Sequence, residues 1–285
     1  MRPEGTGRVS IDVHVGDRPM PHHLPRRAFR WLEPSFMTPV EAQAYVFILQ
    51  IVEGSVFLFG GRTGLLHSSC VERDGSALAL TSTGGVGKTS TAARLLRRPG
   101  WRYLSDDIVF VTPDAEVRLH RRWPMVYAYN VAHDHELRES VSRRGGRSGH
   151  VQWRVHELAH LDRRRRRVPP ATLYGPERVG DRGALEAVAF LTRGSDEQLV
   201  VEETSAADLS RRCCAVILDE QRTLVALLRH WEAAGTPFVS VDEVAARHER
   251  TFSEAFATAH RRVLARLPAS GDVGRAADAF EDLMA

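Results

Sequence analysis

Alternation of apolar and polar residues opens the chain: Val9-Ser10-Ile11-Asp12-Val13-His14-Val15 puts every second side chain on one face and predicts a strand with one wet face. A proline-rich stretch from Pro19 to Pro39 interrupts it. Apolar runs rich in β-branched and aromatic residues follow at Ala44 to Val52 and Ser55 to Phe59, bounded by Gly54 and the pair Gly60-Gly61; they read as buried or hairpin strands. Residues 1–64 are thus expected to be a small β-rich N-terminal region, with 65–285 as the main domain.

From Leu65 the pattern becomes strand, loop, helix. Leu65 to Val71 is apolar, Asp74-Gly75 signals a turn, and Ala77 to Leu80 is a strand feeding a glycine-rich loop. Ser90 to Arg98 has helical spacing ended by Pro99-Gly100, and Tyr103-Leu104 with Ile108 to Val111 forms a further extended element with two aspartates in its middle. The stretch from about His133 to Pro170 is polar and arginine-rich, and reads as a solvated, partly mobile insertion or as a surface that grips an acidic or phosphorylated partner. Beyond it, Ala187 to Leu191 and Leu199 to Val201 read as strands, Ala206 to Ala234 and Val241 to Leu267 as helices, and the last fifteen residues as a frayed helical tail.

Composition narrows the classes. With 285 residues, 43% of them hydrophobic, the chain can bury a large core in an α/β fold. A formal net charge of +3 is too small to imply a nucleic-acid protein. Cys70, Cys213 and Cys214 have no zinc or disulfide spacing and read as buried thiols of a reducing compartment. The N-terminus lacks an apolar signal core and the apolar runs are too short to span a bilayer, so a cytoplasmic location without membrane attachment is expected.

The chemistry concentrates in Leu78-Ala79-Leu80-Thr81-Ser82-Thr83-Gly84-Gly85-Val86-Gly87-Lys88-Thr89, which meets the phosphate-loop pattern G-x-x-x-x-G-K-[ST] at every defined position except the first, where Ser82 stands for glycine. Glycines at 84, 85 and 87 let the backbone aim N–H groups inward at the start of a helix, an anion site from Ser82 through Ser90. Lys88 could reach the β and γ phosphates of ATP and the Thr89 hydroxyl could ligate Mg²⁺. If the Ser82 position demands a positive φ, serine would be strained there. Asp106-Asp107, eighteen residues after Lys88, could supply the carboxylates that phosphoryl transfer requires, although strand alternation lets only one of them face the γ-phosphate directly unless the backbone bends there. Turn-capping is the bland alternative for that pair.

The set Leu66-His67-Ser68-Ser69-Cys70-Val71, the loop through Thr89, and Tyr103-Leu104-Ser105-Asp106-Asp107 resembles the catalytic core of HPr kinase/phosphorylase and its relatives, including enzymes that phosphorylate ribosomal peptides such as lasso peptides. The resemblance spans about Leu65 to Val111. It implies a P-loop kinase core of the phosphoenolpyruvate carboxykinase and HPr kinase type, with Asp106 orienting or deprotonating the acceptor hydroxyl, His67 and Asp107 supporting it, and Thr89 with Asp107 holding the metal. The chain departs from the family at Ser82, by one extra residue between loop and aspartates, and by lacking the downstream metal-binding glutamate motif. Arg121 or Arg122 is the expected cation for the transferring group. Three functions stay open: a kinase acting on a Ser/Thr hydroxyl of a peptide or small protein, a small-molecule hydroxyl kinase, and a nucleotide-binding regulator that transfers nothing. A homo-oligomer is also left open.

Overall fold

The computed structural model describes residues 39–120, 122–131, 135–143, 146–159, 165–195, 197–235, 238–268 and 273–284. The alternating segment Val9 to Val15 and Arg121 lie outside them. The first described element is a helix, α1 (Pro39–Phe59), where two strands were expected. Twenty-one residues without a turn exceed a usual strand, and composition alone cannot tell a buried strand from a buried helix. Gly54, read as a strand boundary, is instead a close-packing point: a Cβ there would meet Leu224 Cδ1 at 3.3 Å.

Two strands, β1 (Gly64–Arg73) and β2 (Ser76–Thr81), form a hairpin turned at Asp74-Gly75, both with positive φ. After α2 (Lys88–Leu95), strands β3 (Trp101–Ser105) and β4 (Ile108–Val111) pair in succession with the same neighbour, β1. Asp106-Asp107 therefore occupies the break between two strands rather than the middle of one. Next come β5 (Glu116–Arg118), β6 (Met125–Tyr127), a 3₁₀ turn Ala128–Val131, α3 (His135–Arg143), α4 (Gly146–Leu158), β7 (Arg165–Arg167) and α5 (Pro170–Tyr174). The chain ends with β8 (Arg182–Arg193), β9 (Val200–Glu203), α6 (Ala206–Glu220), α7 (Arg222–Ala233), α8 (Val241–Thr258), β10 (Arg261–Leu267) and α9 (Val273–Asp282).

The main sheet runs β2-β1-β4-β5-β8-β10-β9, and β2 also pairs β8, so β1, β2, β8, β5 and β4 close on themselves. Strands β2, β8 and β10 are parallel, which brings the C-terminal ends of β2 and β8 out on one side. Alternate residues of β2 and β8 feed two cores. Ala77, Ala79 and Val188 pack with Leu209, Ile217, Phe252 and Phe256 of α6 and α8. Leu78, Leu80, Ala187 and Ala189 pack with Leu95 of α2 and Phe280 of α9.

Four expectations are corrected here. The helix expected over 206–234 breaks at Gln221 into α6 and α7. The helix expected over 241–267 stops at Thr258, because Ala259 turns extended (φ −65°, ψ 134°) and the alternating segment Arg261–Leu267 becomes a parallel neighbour of β8. The frayed tail is α9, its Phe280 fully buried and its Glu281 joined to Arg73 and Arg98. The arginine-rich middle has a core of its own, Val126, Leu137, Val141, Trp153 and Val168, where a solvated insertion would have none.

Candidate active site

Strand β2 runs directly into Ser82–Gly87 and α2 begins at Lys88. Gly85 (φ 79°) and Gly87 (φ 120°) take conformations that a Cβ would strain. Ser82 does not: the non-glycine residues with left-handed φ among the described residues are Asp74, Asp107 and Ala115, so serine at the first-glycine position is unstrained. Ser82 and Thr83 sit behind the loop and hold Lys88. The ammonium donates to Ser82 O (3.0 Å), Ser82 Oγ (3.1 Å) and Thr83 O (2.9 Å), and burial lowers its pKa. Gly84, Gly85, Val86, Gly87, Thr89 and Ser90 face an open cleft of about 870 Å³. The N–H groups of the first turn of α2 have no intrahelical acceptor and carry the positive end of the helix dipole.

Asp106 and Asp107 face that cleft in contrasting surroundings. Asp106 is 5% exposed, and its Oδ1 accepts hydrogen bonds from Thr89 Oγ1 (2.9 Å) and Ser69 Oγ. Burial, and then the neighbouring Asp107 charge, push its carboxyl up to about 6 against the help of those hydroxyls and Lys88. Asp107 has φ 76°, which turns its side chain out of strand alternation, and its carbonyl accepts from Ser68 N (3.1 Å). That left-handed residue is how both neighbouring carboxylates reach one cleft. Burial alone would raise the Asp107 carboxyl, but the cations around it, Arg122 first, hold it below the usual range. Arg122 Nε lies 3.5 Å from Asp107 Oδ2, and its Nη1 donates to Glu53 Oε1 at 3.1 Å.

His67, on β1, is 5% exposed, and burial, then Lys88, pull its pKa to about 3, so the ring is neutral near pH 7. Its Nδ1 has no hydrogen-bond partner among the described residues; Glu220 Oε1 stands 3.5 Å away but makes no hydrogen bond to it. Glu220 ends α6, and its carboxyl is raised by burial and by Asp107. All the motif residues expected from the sequence thus meet at one cleft, with Ser82 and Thr83 supporting it from behind. Of the two arginines offered as the cation, Arg122 lies in the cleft.

Several residues of the site carried no sequence signal. Glu220, Glu53, Tyr127, Asn130 and Arg193 come from elements far apart in the chain, and none belongs to a spaced motif. Asn130 Nδ2 donates to Ser90 Oγ (2.8 Å) and its Oδ1 accepts from Tyr127 N (2.9 Å), tying the 3₁₀ turn to the start of α2. Lys88, Arg94, Arg122, Arg165, Arg167 and Arg193 line the cleft against three carboxylates, Asp106, Asp107 and Glu220, so it favours a polyanion. Among the described residues no group of three or more His, Cys, Asp or Glu side chains is placed to hold a metal by itself. A Mg²⁺ shared with phosphate oxygens needs only one or two protein ligands, and the Thr89 hydroxyl and the Asp107 carboxylate both line the cleft where it would sit.

No protein-family model matches the chain, and no curated protein matches it. Among solved structures, the HPr(Ser) kinase/phosphatase from Coxiella burnetii is similar at 10% identity and a TM-score of 0.30, over 48% of this chain and 64% of that one. The chain has a mixed α/β fold with a weak, partial likeness to that kinase/phosphatase. A likeness at this level carries no argument about activity, and this chain spans 64% of the length of the chain it matches. Among the described residues no helix is long and apolar enough to cross a membrane.

Proposed function

We propose that this protein transfers the γ-phosphoryl group of ATP to a serine or threonine hydroxyl of a peptide or small protein. One observation carries the reading: Thr89, next to the loop lysine, donates to Asp106 at 2.9 Å, so the anion-binding loop and a carboxylate with a raised pKa share one cleft. Two adjacent carboxylates driven apart in pKa by their surroundings suit two different tasks. Asp106, half protonated near pH 6, suits a proton acceptor; Asp107, held ionised, suits a metal. Thr89, whose proton is committed to Asp106, and Asp107 would hold Mg²⁺, which supplies charge neutralisation between the phosphate oxygens.

Within this reading the acceptor oxygen attacks the γ-phosphorus, the bond to the β-phosphate oxygen breaks, and the hydroxyl proton passes to Asp106. Oδ1 is occupied by Ser69 and Thr89, while Oδ2 has no partner among the described residues and is the oxygen available to the acceptor. Lys88 would exchange its loop carbonyls for phosphate oxygens, and Arg122 would offset charge on the transferring group. His67, neutral, would act by hydrogen bonding rather than by charge. The peptide acceptor is supported by the resemblance of the motif set to HPr-kinase-like enzymes and by the basic rim of the cleft.

The test separates chemistry from binding. Asp106→Asn should cut kcat by about two to four decades while changing nucleotide affinity little. Normal turnover by that variant on a phosphorylated product identified by mass spectrometry would remove Asp106 from the chemistry. Phosphate found on metabolites and on no peptide would transfer the reading to a small-molecule kinase.

A further inference from the structure

Strand β7 is three consecutive arginines, and strand alternation sends them to two destinations. Arg166 points away from the cleft, donates to Val141, Ser142 and Gly149 carbonyls, and lies over Trp153, so it holds α3 and α4 together. Arg165 and Arg167 face the cleft. Arg167 is 9% exposed, yet among the described residues its guanidinium makes one hydrogen bond, to the Trp123 carbonyl (2.9 Å), and stacks over Tyr45 with 5.8 Å to the ring centroid. No carboxylate among the described residues comes within ion-pair distance of it. Arg165 is exposed and has no hydrogen bond or ion pair among the described residues. A guanidinium stays charged, and a buried one without a counter-ion is costly.

This site is not the phosphate loop. The charges acting most on Arg167 are those of Arg122 and Asp107, whereas those acting most on Lys88 are Asp106 and Asp107. Lys88 is held by Ser82 and Thr83 of the loop, whereas Arg167 is held by the Trp123 carbonyl and the Tyr45 ring, so the two cationic groups are anchored separately in one cleft. On the kinase reading the loop takes the nucleotide, which leaves Arg165 and Arg167 to the acceptor.

We propose that Arg165 and Arg167 form a carboxylate-binding subsite for the acceptor, so that the phosphorylated hydroxyl lies within a few residues of a carboxylate. This rests on the proposed kinase function and adds to it the chemistry that selects the acceptor. Planar guanidinium forks grip a carboxylate through paired hydrogen bonds, and fixing the acceptor away from its reacting oxygen sets that oxygen in line. The carboxylate could come from an acidic side chain or from a free chain terminus.

The experiment uses the full chain and three fluorescein-labelled decapeptides, each with one serine. The first has glutamate two residues from the serine and an amidated C-terminus, the second has glutamine there, and the third keeps glutamine but has a free C-terminal carboxylate beside the serine. Anisotropy titration should give the first or the third peptide at least about tenfold tighter binding than the second, and which one wins identifies the source of the carboxylate. Arg165→Ala should abolish the difference, and Arg167→Lys, which keeps charge but loses the fork, should reduce it; thermal melts matching the parent's verify folding. Equal binding of all three peptides, or a preference intact in both variants, overturns the subsite. Transfer of phosphate is then scored separately on the same peptides. Arginine-dependent binding without transfer upholds the subsite and rejects the kinase reading, while equal transfer to all three does the reverse.

Discussion

Asp106 accepts two hydroxyl protons on one oxygen while it is buried beside a second carboxylate, and those influences pull its pKa in opposite directions. Burial and Asp107 prevail, leaving it at about 6. A base works only when deprotonated, so kcat should rise with pH through about 6 and level off above it. Ser69→Ala removes a bond that favours the ionised form and should move this limb to higher pH. His67, already neutral well below that range, should not supply the limb, and His67→Gln should leave its position in place. A kcat profile between pH 5 and 8 checks all three; a limb that disappears with His67→Gln would reassign the base. Neither the environment of the aspartate pair nor the turn that lets both face the cleft was legible from spacing. Strand alternation argued for one inward carboxylate unless the backbone bends, and the left-handed Asp107 is that bend.

At the scale of elements, the hairpin β1–β2 and helix α2 were legible because local signals agree: alternation, an Asp-Gly turn, then glycines before a helical spacing. The helix α1 and the strand β10 were not, since short apolar runs take their type from what they pack against. What α1 contributes is also invisible in sequence. It delivers Glu53, 6% exposed, to Arg122 Nη1 at 3.1 Å and within 3.1 Å of His120 Nε2. Glu53→Gln should therefore release Arg122 and lower kcat by roughly tenfold to a hundredfold, with a smaller effect on the melting temperature. Equal turnover by that variant would mean that Arg122 needs no such anchor. The strand β7 makes a sharper contrast between adjacent residues. Arg166→Ala strands three carbonyls and should destabilise by about 2–4 kcal/mol, against about 0.5 kcal/mol or less for Arg165→Ala. Chemical denaturation of the two variants measures this directly, and similar losses would contradict the alternation described for β7. An alanine run across all of these arginines would confuse folding with binding, a distinction that a charge run read as uniform surface conceals.

For the molecule as a whole, parallel strands β2 and β8 present their C-terminal ends together, placing the glycine-rich loop and Arg193 at one mouth. The modest net charge of +3 hides a cleft where six cations face three carboxylates. Sequence located the glycine-rich loop and the aspartate pair of this cleft through contiguous motifs; the rest is assembled from β6, β7 and α6, with Glu53 of α1 behind Arg122, and these residues meet only in three dimensions. On the proposed reading the loop around Lys88 binds the phosphates of ATP. Calorimetric titration of the full chain with Mg-ATP, beside Lys88→Ala, tests it most directly. Removing the ammonium should cost about 1.5–3 kcal/mol, a roughly 10- to 150-fold loss of affinity, and equal affinity of parent and variant would contradict the account.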